Sequence, residues 1–278
     1  MSVEKSLEHR GCRIAYEIQG SGPPVLLIQG VGAAGGAWRP QVDGLADRYA
    51  CLWFDNRGMG RSQPPAVRIT VEQSAEDALA LMDAEGWESA HVVGHSLGGL
   101  TALHLALSAR RRVRSLSLLC TFGNGAKAAP PTARMIWLGL RTRVGTRRMR
   151  RHGFLHLVLP PQAVTGADLD ALAESLAPLF GHDLGDQPPI VDQQLAAMRA
   201  YDATPRLGEL AGLPTLVVNA VYDPIAPPRC GRELAARIPG ARYVELPEAS
   251  HGVPLQDPGR INSLLLDHLA KAGTETAR

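Results

Sequence analysis

The chain has little of what marks the specialised protein classes. It holds four cysteines in 278 residues, and Cys12, Cys51, Cys120 and Cys230 form no C-x-x-C pair. A chain of this length needs no disulfide framework, and scattered cysteines offer neither a zinc ribbon nor a redox dithiol. Cys51 and Cys120 fall inside apolar runs and are expected to be buried small hydrophobes. The nine histidines show no H-E-x-x-H or similar spacing, so no metal site is expected. Neither sign of charge is in excess. A formal net charge of +2 gives no strong pull towards nucleic acid or an anionic membrane, and neither partner is expected. No apolar run approaches the roughly 20 residues that span a bilayer. The polar opening MSVEKSLEHRG lacks the apolar centre of a signal peptide, so a cytoplasmic location is expected.

What is present is an ordinary globular composition, with 45% hydrophobic and 20% charged residues, in a chain long enough for one large domain with an insertion. Short apolar runs alternate with helical patterns. Residues 6–19 alternate apolar and polar about Arg10-Gly11 and read as a hairpin of edge strands. Val25–Ile28, Tyr49–Phe54, Val92–Val93, Val113–Cys120, Leu213–Asn219 and Ala241–Leu246 read as strands, most of them continuously apolar and so buried on both faces. Helices are expected over about 38–48, 71–85, 97–107, 229–238 and 258–270, and 275–278 should fray. This pattern predicts an α/β fold: a mostly parallel eight-stranded sheet with helices on both faces, formed by residues 1–123 and 213–278. Residues 124–212 contain no buried-strand run but have helical segments broken at Pro130-Pro131, Pro160-Pro161 and Pro188-Pro189, and are expected to form a helical cap. Seven arginines between Arg134 and Arg151 are read as a solvated helix face, with an anionic-substrate mouth or a weak membrane-surface contact as alternatives. Leu138, Leu140, Phe154, Leu155, Leu157, Leu159, Leu176, Leu179 and Phe180 in this segment could line an acyl or aromatic pocket, but for most of them packing in a helical hairpin is the expected use.

The chain is organised around His91–Leu107, HVVGHSLGGLTALHLAL, which reads as strand, sharp turn and helix, with Gly94-His95-Ser96-Leu97-Gly98 on the turn. A nucleophile squeezed between a strand end and a helix start sits on a strained backbone, and glycines on either side remove the side chains that would collide. The helix start adds unpaired N–H groups and a positive dipole end. Ser96 is therefore the candidate nucleophile. A serine hydroxyl needs a base, and His251, in a polar loop after the last strand, is the candidate. Its imidazolium needs a carboxylate; Asp223, just past a buried strand, is the best placed and Glu248 the weaker choice. His95 beside the nucleophile is expected only to pack against the turn. The glycine-rich run Gln29-Gly30-Val31-Gly32-Ala33-Ala34-Gly35-Gly36 also follows a buried strand. Val31 N–H and Leu97 N–H are the expected oxyanion donors, and Gln29, Gly30 and Gly32 are expected to face substrate. These loops share the carboxyl edge of the sheet, where sites form in open α/β folds. Asp55 and Arg57 are expected to brace the Gly58–Gly60 turn.

The order Ser96, Asp223, His251, with GHSLGG, DNRGMGRS, YDPIAP and SHG, resembles the α/β-hydrolase superfamily over nearly the whole chain except the expected cap. Within it the chain is similar to small bacterial esterases, enol-lactonases and cofactor-free perhydrolases. The resemblance implies an α/β-hydrolase fold, a Ser–His–Asp triad, an acyl-enzyme and no cofactor. Haloalkane dehalogenases and many epoxide hydrolases carry aspartate at the elbow, and Ser96 argues against both. One departure is Gln29-Gly30 where such proteins commonly have His-Gly. The expected function is hydrolysis of a small-molecule carboxylic ester or lactone. Carbon–carbon bond hydrolysis or perhydrolysis by the same triad, or a slow-turnover receptor on the same scaffold, are the alternatives.

Overall fold

A computed structural model describes residues 2–128 and 132–276. The expected break at Pro130-Pro131 lies outside the described residues, as does the end of the tail at Ala277–Arg278. An edge hairpin opens the chain, with β1 (Val3–His9) antiparallel to β2 (Cys12–Gln19). Arg10 and Gly11 both have positive φ, 46° and 74°, as a two-residue turn between right-twisted strands requires. β3 (Pro24–Ile28), α1 (Arg39–Leu45), β4 (Ala50–Phe54), α2 (Val71–Ala84), β5 (Ala90–His95), α3 (Leu97–Ser108) and β6 (Val113–Leu119) follow in alternation. The segment between β6 and β7 is helical: α4 (Ala133–Arg141), α5 (Arg147–Val158), α6 (Pro161–Val164), α7 (Leu169–Phe180) and α8 (Ile190–Ala200). β7 (Thr215–Ala220), α9 (Pro228–Arg237), β8 (Arg242–Leu246), α10 (Val253–Gln256) and α11 (Pro258–Thr276) close the chain.

The eight strands lie in the order β1-β2-β4-β3-β5-β6-β7-β8, parallel except where β2 meets β1 and β4. This is the α/β-hydrolase fold. Strand periodicity divides the core. Leu26, Ile28, Leu52, Phe54, Val92 and Leu116 face α2 and α3, whereas Val25, Leu27, Cys51, Trp53, Val93 and Leu216 face α1 and α11. Burial on both sides explains why these strands read as unbroken apolar runs. Among the described residues no helix is long and apolar enough to cross a membrane.

Two expected elements differ. The helix expected over 38–48 is a 3₁₀ turn at Gly35–Trp38 followed by α1, which stops at Leu45. The final helix runs to Thr276, past its expected end at 270. The arginine-rich stretch also proves mostly neutralised. Arg143 pairs with Asp192, Arg147 and Arg150 with Asp186, Arg148 with Asp170, and Arg151 with Asp183. Arg141 lies over the Trp137 ring, 5.1 Å from its centre. α4 buries only Leu138 and leaves Ile136, Trp137 and Leu140 exposed.

Inside the sheet, His91 on β5 is within 2.8 Å of Ser115 Oγ and lies edge-on to Tyr49, while His268 on α11 is also buried. Burial pushes both imidazoles down to about 4. The unfolded chain, with histidines near 6.5, therefore binds more protons than the folded one between those values, so stability falls as pH drops through that window. Each imidazole should cost on the order of 1–2 kcal/mol at pH 5 relative to pH 7.5. Tm measured at the two pH values should be lower at pH 5; an unchanged Tm would contradict the neutral buried state.

Candidate active site

Ser96 stands between the last residue of β5 and the first of α3, with φ 54° and ψ −118°, a conformation unfavourable for an L residue. Neighbouring backbone holds it there. Ser96 N–H donates to Leu119 O at 3.0 Å, and Thr121 Oγ1 donates to Ser96 O at 2.7 Å. The flanking glycines are sterically obligatory. A Cβ at Gly94 would lie 2.3 Å from Gly98 O, and one at Gly98 would lie 2.1 Å from Ile28 O. α3 thus presses directly on the end of β3.

His251 and Asp223 arrive from the loops after β8 and β7. Ser96 Oγ donates to His251 Nε2 at 3.0 Å, and His251 Nδ1 donates to Asp223 Oδ2 at 2.8 Å. All three are buried. Asp223 Oδ1 accepts the N–H groups of Ile225 and Ala226, each at 2.8 Å, which fixes the carboxylate plane. Glu248, the weaker candidate, has no hydrogen bond or ion pair with His251 among the described residues; its backbone carbonyl accepts from Gln256 and Gln162. The buried Cys120 thiol also faces the Asp223 carboxylate. Burial and that charge push the thiol well above its ordinary range, so it stays protonated. Among the described residues the one cluster of possible metal ligands is this same set, Cys120, Asp223 and His251.

Val31 N–H, in the glycine-rich loop, and Leu97 N–H, at the start of α3 directly after Ser96, have no acceptor among the described residues. The adjacent amides are occupied: Gly30 N–H donates to Gln29 Oε1 at 2.8 Å, and Gly32 N–H donates to Gln194 Oε1 at 2.9 Å. Gln29, Gly30 and Val31 line a cavity of about 870 Å³ that opens above Ser96. Gly32, expected to face substrate, does not line it. Both of its polar groups are turned into the helical insertion: Gly32 N–H donates to Gln194 Oε1, and Gly32 O lies 2.7 Å from His182 Nε2. The cavity walls are apolar, with Ala37, Phe154, Leu157, Phe180, Leu195 and Met198 among them. Leu138 and Leu155 are buried without lining it, and Leu155 belongs to a cluster that also holds Ala33 and Ala37.

Two further expectations resolve differently. His95 does more than pack. Its Nδ1 lies 3.0 Å from Gln29 Oε1, its Nε2 lies 2.9 Å from His251 O, and its ring sits 4.9 Å from that of His251. Because Gln29 Oε1 already accepts Gly30 N–H, both ring nitrogens face acceptors, and a neutral imidazole can satisfy only one. Burial and the neighbouring His251 push His95 down to about 3, so the ring carries a single hydrogen at neutral pH. Asp55 braces its turn as expected, accepting Arg61 N–H at 2.9 Å, and also accepts Gly35 N–H at 2.8 Å, tying that turn to the glycine loop. Arg57 braces something else: it forms a fully buried pair with Asp77 of α2, at 2.6 and 2.9 Å. No local pattern in the sequence distinguished Gln194 or His182, since a single polar residue among the apolar positions of a helix has no defined partner.

The parallel sheet, the strained turn and the Ser–His–Asp chain of hydrogen bonds together define an α/β-fold hydrolase. The chain belongs to the α/β-hydrolase fold family, whose sequence profile matches residues 23–258. A protein of Azorhizobium caulinodans bearing the name carbamate hydrolase RutD is 33% identical over 255 residues, covering 90% of this chain and 92% of that one. Among solved structures, the enol-lactonase from Burkholderia xenovorans LB400 superposes with a TM-score of 0.80 at 27% identity, covering 96% of this chain and 100% of that one. A hydrolase from Pseudomonas aeruginosa PA01 gives a TM-score of 0.77 at 28% identity, covering 96% and 98%.

The elbow's steric constraint can be measured. Gly98→Ala forces a methyl against the Ile28 carbonyl and should destabilise the protein by more than about 3 kcal/mol. Gly139→Ala in α4, where nothing lies within 4 Å of the added methyl, should be neutral or stabilising by about 0.5–1 kcal/mol. Equal denaturant midpoints for the two variants would refute the claim.

Proposed function

We propose that the protein is a serine hydrolase acting on a small-molecule carboxylic ester or lactone through an acyl-enzyme, with an apolar acyl or ring portion held in the cavity. The observation that carries this reading is the continuous relay from Ser96 Oγ through His251 to Asp223, at 3.0 and 2.8 Å, on the floor of an apolar cavity. His251 Nε2 accepts the Ser96 proton as the oxygen attacks the substrate carbonyl. Asp223 keeps the Nδ1 hydrogen in place and stabilises the imidazolium. Charge on the tetrahedral oxygen meets Val31 N–H and Leu97 N–H. His251 then gives its proton to the leaving alkoxide, and water repeats the cycle on the acyl-enzyme. No cofactor takes part. A carbamate carbonyl, as in the name of the Azorhizobium relative, would meet the same groups. The wall favours a longer apolar acyl part over a small polar substrate, because each methylene buried there contributes about 0.8 kcal/mol.

The test is a series of p-nitrophenyl esters from acetate to decanoate, with matched carbamates and acyl lactones. kcat/KM should rise by up to about fourfold per methylene until the cavity is filled. Ser96→Ala should lower turnover by at least about a thousandfold. Unchanged ester and lactone turnover in Ser96→Ala would overturn the mechanism, and faster turnover of short carbamates than of any ester would overturn the substrate class.

A further inference from the structure

Three consecutive peptide units pass beneath the cavity at Gln29–Gly32. Each is a rigid plane, so fixing the hydrogen-bonding direction of one constrains its neighbours. The first, carrying Gly30 N–H, is pinned by the Gln29 side chain from within the loop. The third, carrying Gly32 N–H, is pinned by Gln194, which lies 162 residues further along the chain on α8. The middle unit carries Val31 N–H. Its orientation is therefore set from both sides, and one of the two pins belongs to the helical insertion.

Gln194 is 1% exposed and does not line the cavity, although Val191, Leu195 and Met198 on the same helix do. It therefore sits behind the wall, where its amide oxygen reaches the loop and not a ligand. Other contacts between insertion and loop reinforce the same clamp. His182 Nε2 lies 2.7 Å from Gly32 O, and Ala34 N–H donates to Phe180 O at 3.0 Å. Gly32 has φ +70°, and a Cβ there would meet Val191 Cγ2 at 3.3 Å, so helix and loop are in direct contact.

We propose that Gln194 is a positioning residue: by accepting Gly32 N–H it aims the Val31 amide at the developing oxyanion, so that the oxyanion hole is complete only when the helical insertion is seated. The claim rests on the ester-hydrolysis reading above. Gln194 does not touch substrate, so its loss should leave ground-state binding largely intact while weakening stabilisation of the tetrahedral state. Misplacement of such a donor by about 1 Å costs on the order of a hundredfold in rate.

The experiment compares wild type, Gln194→Leu, which keeps the volume and removes the acceptor, and Gln194→Glu, which keeps an acceptor oxygen at the same reach. kcat and KM are measured with a p-nitrophenyl ester, together with Ki for an alkyl trifluoromethyl ketone, which forms an oxyanion on the serine. Gln194→Leu should lose about tenfold to a hundredfold in kcat with KM within about threefold. Its affinity for the ketone should fall by the same factor as kcat, and Gln194→Glu should recover most of both. A Gln194→Leu enzyme with wild-type kcat and ketone affinity overturns the proposal, as does a loss confined to KM. Equal loss in both variants also overturns it, because the acceptor would then not be what matters. If Gln194→Leu does not fold, Gln194→Met, which also lacks the amide acceptor, decides: a tenfold or greater loss of kcat and ketone affinity with KM within about threefold supports the claim, and wild-type values of both overturn it. Failure of the underlying reaction is distinguishable, because wild type itself would then turn over no ester and its serine would not be labelled by a fluorophosphonate.

Discussion

The structure depends on one close approach of backbone to backbone, where α3 starts against the end of β3. The Gly98 position lies so near the Ile28 carbonyl that no side chain fits between them. That contact holds Ser96 in its unfavourable conformation, lifts its hydroxyl above the sheet and presents the first turn of α3 to the same space. It also puts the Gly30 position against Ser96 Cβ at 3.0 Å, so the glycine loop and the elbow are two sides of one joint. The remaining architecture delivers His251 and Asp223 to that joint from separate loops on the same edge.

Much of this was legible because burial on both faces of a parallel sheet leaves a strong mark. Val25–Ile28 and Cys51–Phe54 must be apolar at every position, whichever way each residue points. The glycines around Ser96 were legible for a related reason, since steric exclusion admits one residue type. Ser96, Asp223 and His251 could be placed on one edge without coordinates because each follows a buried strand. Length was less legible: α1 stops at Leu45 although the pattern ran on to Arg48, because Ala46–Tyr49 turn immediately into β4.

The helical insertion was opaque for a physical reason. Its apolar residues serve two surfaces, a buried packing face at Leu138 and Leu155 and a cavity face at Phe154 and Leu157, and both have helical spacing. Its arginines carried a positive sequence signal that the fold cancels, because Asp170, Asp183, Asp186 and Asp192 come from elsewhere in the segment to meet them. Gln29 Oε1 meets Gly30 N–H and the His95 ring, and Gln194 Oε1 meets Gly32 N–H. A residue whose contacts run through one amide oxygen leaves no periodicity behind it. His95 was underestimated because adjacency to Ser96 said nothing about Gln29 and the His251 carbonyl, which come from other loops.

The four unpaired thiols give the molecule an internal clock. Cys12 on β2, Cys51 on β4, Cys120 beyond β6 and Cys230 on α9 are all buried, so a water-borne alkylating reagent meets none of them while the chain stays closed. Their modification rates consequently report how often each layer opens. Cys120, wedged against Asp223, times the loosening of the Ser96–His251–Asp223 cluster, whereas Cys230 times the periphery on which α9 rests.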